Sequence, residues 1–190
     1  AIIDGGRRAS YADLLDRSNR LASALADRGV TKGDRVALLA PNCLEYVVAA
    51  YGVISSGAVL TTINSGYREG EIAHQLNDSG AEMLIVHESL LEVTALARPN
   101  TPELKTLIVI GNPVGGSESL DGLIESGSPA PPDVTVSPRE DLAVLPYSSG
   151  TTGLSKGVML THFNLTANIQ QFLEREGEES NWRHDDVILV

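Results

Sequence analysis

The chain has 190 residues, 42% hydrophobic and 21% charged, a length and mix that suit one globular domain or one and a half and exclude disorder, collagen and coiled coil. Lys and Arg number 14 against 25 Asp and Glu, a net charge of −11; a field of that sign repels polyphosphate chains, so nucleic acid is not an expected partner. The single cysteine, Cys43, allows no internal disulfide and no zinc-type Cys/His spacing, and it is expected to be a small buried apolar side chain.

The chain starts with an Asp4-Gly5-Gly6 turn. Ser10-Tyr11-Ala12-Asp13 then has the form of a capping box, predicting a helix whose stripe of Leu14, Leu21 and Leu25, with Leu15 and Ala22 alongside, ends at Gly29. Val36 to Ala40 is a continuous apolar run between Gly33-Asp34 and Pro41-Asn42, the pattern of a strand covered on both faces. Similar runs follow at Ala58 to Ile63, Met83 to Val86, Thr106 to Ile110, Leu142 to Leu145 and Val187 to Val190. Helical segments at Leu44 to Ile54, Glu69 to Leu76 and Ser89 to Ala97 lie between several of them. Apolar strands alternating with helices predict an α/β fold, with mostly parallel sheets flanked by helices.

From Gly111 to Pro138 the texture turns to Gly, Ser and Pro, with one short helical turn expected at Leu120 to Ile124. Residues 1–126 therefore read as an N-terminal α/β subdomain, 127–138 as a Pro/Ser-rich connection, and 139–190 as the start of the next α/β part. No stretch approaches about 18 consecutive apolar residues, and Ala1 to Asp4 lacks the basic start of a signal peptide, so no membrane span and a cytoplasmic location are expected. A chain that opens without methionine and stops inside the run Val187 to Val190 is expected to be a truncated piece, and its open final strand predicts self-association.

Chemistry concentrates in Tyr147 to Gly157. Glycines leave backbone N–H groups unobstructed, hydroxyls add donors and a lysine adds a compact charge, so Ser148, Ser149, Gly150, Thr151, Thr152, Gly153, Lys156 and Gly157 together read as an anion cradle. A solvated turn has the same composition, but the chain's only other lysines are Lys32 and Lys105, which favours the phosphate reading. The P-loop pattern GxxxxGK[ST] fails twice when started at Gly150: Ser155 stands where glycine is required, and Gly157 where the magnesium-binding hydroxyl belongs. The context differs as well. Val158-Met159-Leu160 predicts a second strand, with the next helix beginning only at Thr161, so the cradle is strand, loop, strand rather than a loop opening into a helix.

The run from Leu145 to His162 resembles the AMP-binding signature of adenylate-forming enzymes. Gly33 to Leu39, Gly57 to Leu60 and Gly80-Ala81 are similar to the same family's N-terminal region. The Tyr-Ser-Ser-Gly opening and the Val-Met-Leu-Thr-His continuation are most similar to the acyl-CoA synthetase and 4-coumarate-CoA ligase branch. The sequence departs from the family pattern at Ser155, where proline is usual, at Ser65-Gly66 after Asn64, and at Phe163, where arginine is frequent.

The resemblance implies a truncated part of a large N-terminal domain. The parent would convert a carboxylic acid, with ATP and Mg, to an acyl-adenylate and then, with coenzyme A, to a thioester. Thr151, Thr152 and Lys156, with the amides around Gly150 and Gly153, would hold the leaving β- and γ-phosphates. No catalytic residue and no metal ligand is assigned among these residues, and the fragment alone is expected to be inactive. A non-catalytic α/β nucleotide- or anion-binding module is the alternative, and a P-loop phosphotransferase ranks below both.

Other side chains have plainer expected roles. His162 is a structural residue, or one that supports the site from behind, at a helix start capped by Thr161, and His74, His87 and His184 are surface or helix-end residues with no evident acidic or cysteine partner. Glu174, Glu176, Glu178 and Glu179 form a solvated run. Tyr46, Tyr51, Tyr67 and Trp182 are too scattered for a base-stacking platform. Two glycosylation sequons, at Asn77 and Asn164, read as chance.

Overall fold

Alternation within each strand organises the molecule. In the computed structural model, which describes residues 2–148 and 154–177, β3 (Arg35–Leu39) sends Val36 and Leu38 into one core layer and Ala37 and Leu39 into the other. β5 (Met83–His87) does the same with Met83 and Ile85 against Leu84 and Val86. A strand buried on both faces has no polar side to display, which is why these segments read as unbroken apolar runs.

The sheet they belong to has seven strands in the order β11-β8-β4-β3-β5-β6-β7. It is completed by β4 (Val59–Ile63), β6 (Thr106–Ile110), β7 (Glu118–Ser119), β8 (Leu142–Val144) and β11 (Leu160–Thr161). Every pairing is parallel except β11 against β8. One face carries α1 (Tyr11–Asp27), α2 (Leu44–Ser55) and α5 (Leu120–Ser126); the other carries α3 (Glu69–Ser79) and α4 (Leu91–Ala97). The predicted α/β fold with helices on both sides is the observed one. No helix among the described residues is long and apolar enough to cross a membrane.

Local chemistry sets the helix ends. Ser10 caps α1 by accepting from the Asp13 amide at 3.1 Å, while Asp13 accepts from the Ser10 amide at 2.8 Å, completing the expected capping box. At the other end Gly29, at φ +85°, takes the left-handed turn that lets the Val30 amide reach back to the Leu25 carbonyl. The predicted stripe is right except at Leu15, which is 63% exposed. Cys43 differs too: it is only half-buried and sits at the residue before α2 rather than in the core.

The N-terminal hairpin, β1 (Ile2–Asp4) and β2 (Arg7–Ala9), is tied to α2 by charge. Both terminal guanidinium nitrogens of Arg7 donate to Glu45, at 2.6 and 3.0 Å, and Arg7 also pairs with Asp4, which accepts from the Leu44 amide. Burial alone would raise the Glu45 carboxyl above its ordinary 4.5, but the Arg7 hydrogen bonds and charge hold it below that value. A group depressed in the folded state contributes stability above its unfolded pKa and loses that contribution as pH falls through the folded value. Glu45→Gln is therefore expected to narrow its stability gap to wild type as pH drops below about 4.5. Thermal midpoints measured from pH 7 to pH 3 check this; a gap that stays constant would mean Glu45 is not ionised at this pair.

Between β6 and β8 the structure adds β7, a two-residue strand not expected within the Gly/Ser/Pro stretch. The following segment lies along the body: the Arg20 guanidinium donates to the Gly127 carbonyl at 3.1 Å, and Lys32 reaches the Thr135 carbonyl and Asp141. Strand β8 then pairs with β4 in the same sheet. The run Val187 to Val190, on which the expected open edge rests, lies outside the described residues.

Candidate functional site

The glycine-rich segment is rooted in a short antiparallel pair, β9 (Tyr147–Ser148) with β10 (Lys156–Gly157). Lys156 faces Ser148, and Gly157 faces Tyr147. Two short strands thus flank the segment, but the second is Lys156–Gly157 rather than the expected run at Val158 to Leu160. Ser148 and Lys156 stand opposite each other on the exposed side of this root, while Ser149, Gly150, Thr151, Thr152 and Gly153 lie outside the described residues. Gly157 has a packing reason to be glycine: a Cβ there would sit 3.1 Å from Leu145 Cδ1 and 3.3 Å from a Tyr147 ring carbon.

After Gly157 the chain departs from the expected continuous strand. Val158 and Met159 are exposed and in no strand. The Val158 amide donates to the Pro146 carbonyl, and pairing resumes only at Leu160 and Thr161, now against β8. A single strand cannot serve both partners because β9 and β8 belong to different sheets. Thr161 caps α6 (His162–Gly177) as expected: its hydroxyl accepts from the Asn164 amide at 3.3 Å, and Asn164 Oδ1 accepts from the Thr161 amide at 2.9 Å. His162 is the first residue of that helix. Phe163, a departure from the family pattern, stacks under the Arg139 guanidinium at 3.6 Å from the ring centroid.

Helix α3 packs on the root of the segment. The Tyr147 hydroxyl donates to Asp78 Oδ2 at 2.7 Å, and burial followed by this carboxylate pushes the phenol well above its usual range. His74 Nε2 lies 2.9 Å from the Ser155 carbonyl. A carbonyl can only accept, so Nε2 carries the proton and donates. The His74 and Tyr147 rings meet edge to face, 6.4 Å apart at 88°. One residue along, the fully buried Gln75 donates to Thr61 Oγ1 and to the Thr62 carbonyl, both at 2.9 Å, and the Thr61 hydroxyl donates to the Leu145 carbonyl at 2.9 Å.

A cleft of about 300 Å³ opens at the carboxyl ends of β3, β4 and β8, with Asn42, Tyr46, Asn64, Tyr67 and Tyr147 among its lining residues. Ligands of open parallel sheets bind at this end of the strands. Asn64 Oδ1 accepts from the Gly66 amide at 2.8 Å, so the Ser65-Gly66 departure is accommodated as a side-chain-closed turn. Among the described residues no group of three His, Cys, Asp or Glu side chains could hold a metal ion.

One expectation needs correcting. His74 is neither a surface nor a helix-end residue: it is half-buried within α3, and its partner is the Ser155 carbonyl beside Tyr147. Tyr46 and Tyr67 share one cleft with Tyr147, whereas Tyr51 is 61% exposed and Trp182 lies outside the described residues, so the four aromatics named from the sequence do not come together. His87 is a helix-end residue as expected, capping a 3-10 turn through Ser89, and His184 lies outside the described residues. His74 falls within the helix predicted over Glu69 to Leu76, but Asp78 lies beyond its predicted end; the two share a face four residues apart only because α3 runs on to Ser79. Nothing local says that this face meets residues about 70 to 80 positions later.

The family described as AMP-binding enzyme matches residues 1–190. A 4-coumarate–CoA ligase of Pinus taeda is 35% identical over 99% of this chain and 35% of its own length. A medium/long-chain-fatty-acid–CoA/3-oxocholest-4-en-26-oate–CoA ligase of Mycolicibacterium smegmatis is 35% identical over 100% of the chain and 31% of its own length. Among solved structures, a long-chain-fatty-acid-CoA ligase from Archaeoglobus fulgidus superposes with a TM-score of 0.81 at 36% identity, covering 91% of this chain and 35% of that one. An anthranilate CoA ligase in complex with anthranoyl-AMP superposes with a TM-score of 0.82 at 33% identity, covering 88% and 33%. The chain thus spans about a third of the length of the curated relatives it matches.

Proposed function

Because this chain belongs to the AMP-binding enzyme family, we propose that it is the phosphate-gripping part of an ATP-dependent acid–CoA ligase of the coumarate or fatty acyl type. In the first step a carboxylate oxygen attacks the α-phosphorus of ATP, the bond to the β-phosphate oxygen breaks, and pyrophosphate leaves. In the second, the sulfur of coenzyme A attacks the acyl carbon, AMP departs with the bonding electrons, and the thiol proton is given up. The role of these residues is to hold the pyrophosphate end through Ser148, Ser149, Gly150, Thr151, Thr152, Gly153, Lys156 and Gly157, neutralising charge as it develops on the leaving group. None of them is a nucleophile or a general base.

The observation that carries this reading is the β9/β10 pairing, which sets Lys156 across from Ser148 at the mouth of a glycine-rich turn. Residues 1–126 would form the body that supports the turn, 127–138 the connection, and 139–190 the start of the part that presents it. No metal ligand is assigned here; magnesium would arrive with ATP, coordinated largely by the phosphates and water.

The test is to incubate a full-length protein carrying this chain with ATP, coenzyme A and a panel of aromatic and aliphatic carboxylic acids, scoring AMP and thioester release. Release with at least one acid is expected, and none from residues 1–190 alone. ATP binding without AMP release by the full-length protein would favour the non-catalytic binding module.

A further inference from the structure

We propose that α3 is a positioning element for the phosphate-binding turn, with His74 latching the Lys156 side of its root and Asp78 latching the Tyr147 side. This rests on the function proposed above. The two side chains lie four residues apart and so share one helix face. His74 donates to the Ser155 carbonyl at 2.9 Å, next to Lys156, while Asp78 accepts from the Tyr147 hydroxyl at 2.7 Å, next to Ser148. The rings of His74 and Tyr147 close the space between the two latches. Helix α3 is itself fixed to the sheet by the buried Ile72 and Leu76, and Gln75 extends the tie through Thr61 to Leu145.

The root needs such help. It has two paired positions on each strand, far fewer than an independently stable hairpin requires. Glycines across the turn raise the entropy lost on ordering. Ser155 leaves φ free just before the lysine, where a proline would fix it. The bond from His74 restrains the same peptide by another route. What the latches supply is preorganisation: the root that carries Ser148 and Lys156 is held in place before the triphosphate arrives.

The consequence is selective. A grip on the β- and γ-phosphates matters while ATP or pyrophosphate is bound and not once the acyl-adenylate stands alone. In the full-length protein, Tyr147→Phe keeps the ring and deletes its hydrogen bond, and His74→Phe keeps an aromatic side chain, somewhat larger, while deleting the bond to Ser155. Each is expected to raise the KM for ATP, and for pyrophosphate in the reverse exchange, by about 3- to 10-fold. Thioester formation from preformed acyl-adenylate and coenzyme A should stay within about 2-fold of wild type. Amide hydrogen exchange should rise at residues 147–157 and not in β3, β5 or β6. A loss shared equally by both half-reactions, or unchanged exchange at 147–157, would overturn the latch. If the wild-type protein releases no AMP, the proposed function fails while the exchange measurement still decides whether α3 holds the turn.

Discussion

Lys156→Ala in the full-length protein is expected to slow acyl-adenylate formation about 10- to 150-fold, the kinetic equivalent of losing a charge-assisted contact of about 1.5–3 kcal/mol. The ammonium is exposed at the root of the turn and makes no hydrogen bond or ion pair among the described residues. Its removal should therefore leave stability nearly unchanged, so the whole effect falls on the bound phosphates. The surrounding charge sharpens this. With a net −11 on the chain, the long-range field opposes an anionic ligand and local donors must supply the attraction. Lys156→Arg should recover part of the rate, because it restores the charge but replaces a compact ammonium with a planar fork. Pyrophosphate exchange is the direct measurement. Exchange by Lys156→Ala at the wild-type rate would remove Lys156 from the site.

Leu21→Ala should be among the most destabilising single changes, at about 2–5 kcal/mol. Leu21 is wholly buried where α1 crosses α2. The helices approach closely because the facing residue is Gly52: a Cβ added there would sit 2.7 Å from Leu21 Cδ2 and 2.9 Å from Leu21 Cβ. Gly52→Ala alone should consequently cost about 1–3 kcal/mol through overpacking. In the double variant the added methyl enters space that Leu21 has vacated, so its cost should fall below the sum of the singles by about 0.5–3 kcal/mol. Thermal unfolding of the four proteins measures this coupling. Additive effects would show that Gly52 is not the reason for the close approach.

Most of the fold was legible before any coordinates because its determinants are local. The capping box at Ser10 and Asp13, the left-handed stop at Gly29 and the apolar run at Val36 to Leu39 each need only neighbouring residues to be recognised. Errors came where a partner from elsewhere decided. Leu15 fits the α1 stripe by period, yet no element covers it. Val158 and Met159 have strand composition, but the chain there passes from β9 to β8 and pairs with neither over those residues. The two-residue β7 exists only because β6 offers it an edge.

The site divides the same way. Glycine, hydroxyl and lysine chemistry is written in consecutive residues from Tyr147 to Gly157, so the proposal of an anion cradle needs only neighbouring residues. Its supports could not. His74, Gln75 and Asp78 are unremarkable on a helix, and their meeting with Ser155, Thr61 and Tyr147 depends on β8 inserting beside β4 and bringing the β9/β10 root onto α3. A sequence fixes interactions whose partners are a few bonds apart, because periodicity and backbone sterics act at that range. Which distant side chains share a cleft is decided by strand order, a property of the whole sheet that no single segment carries.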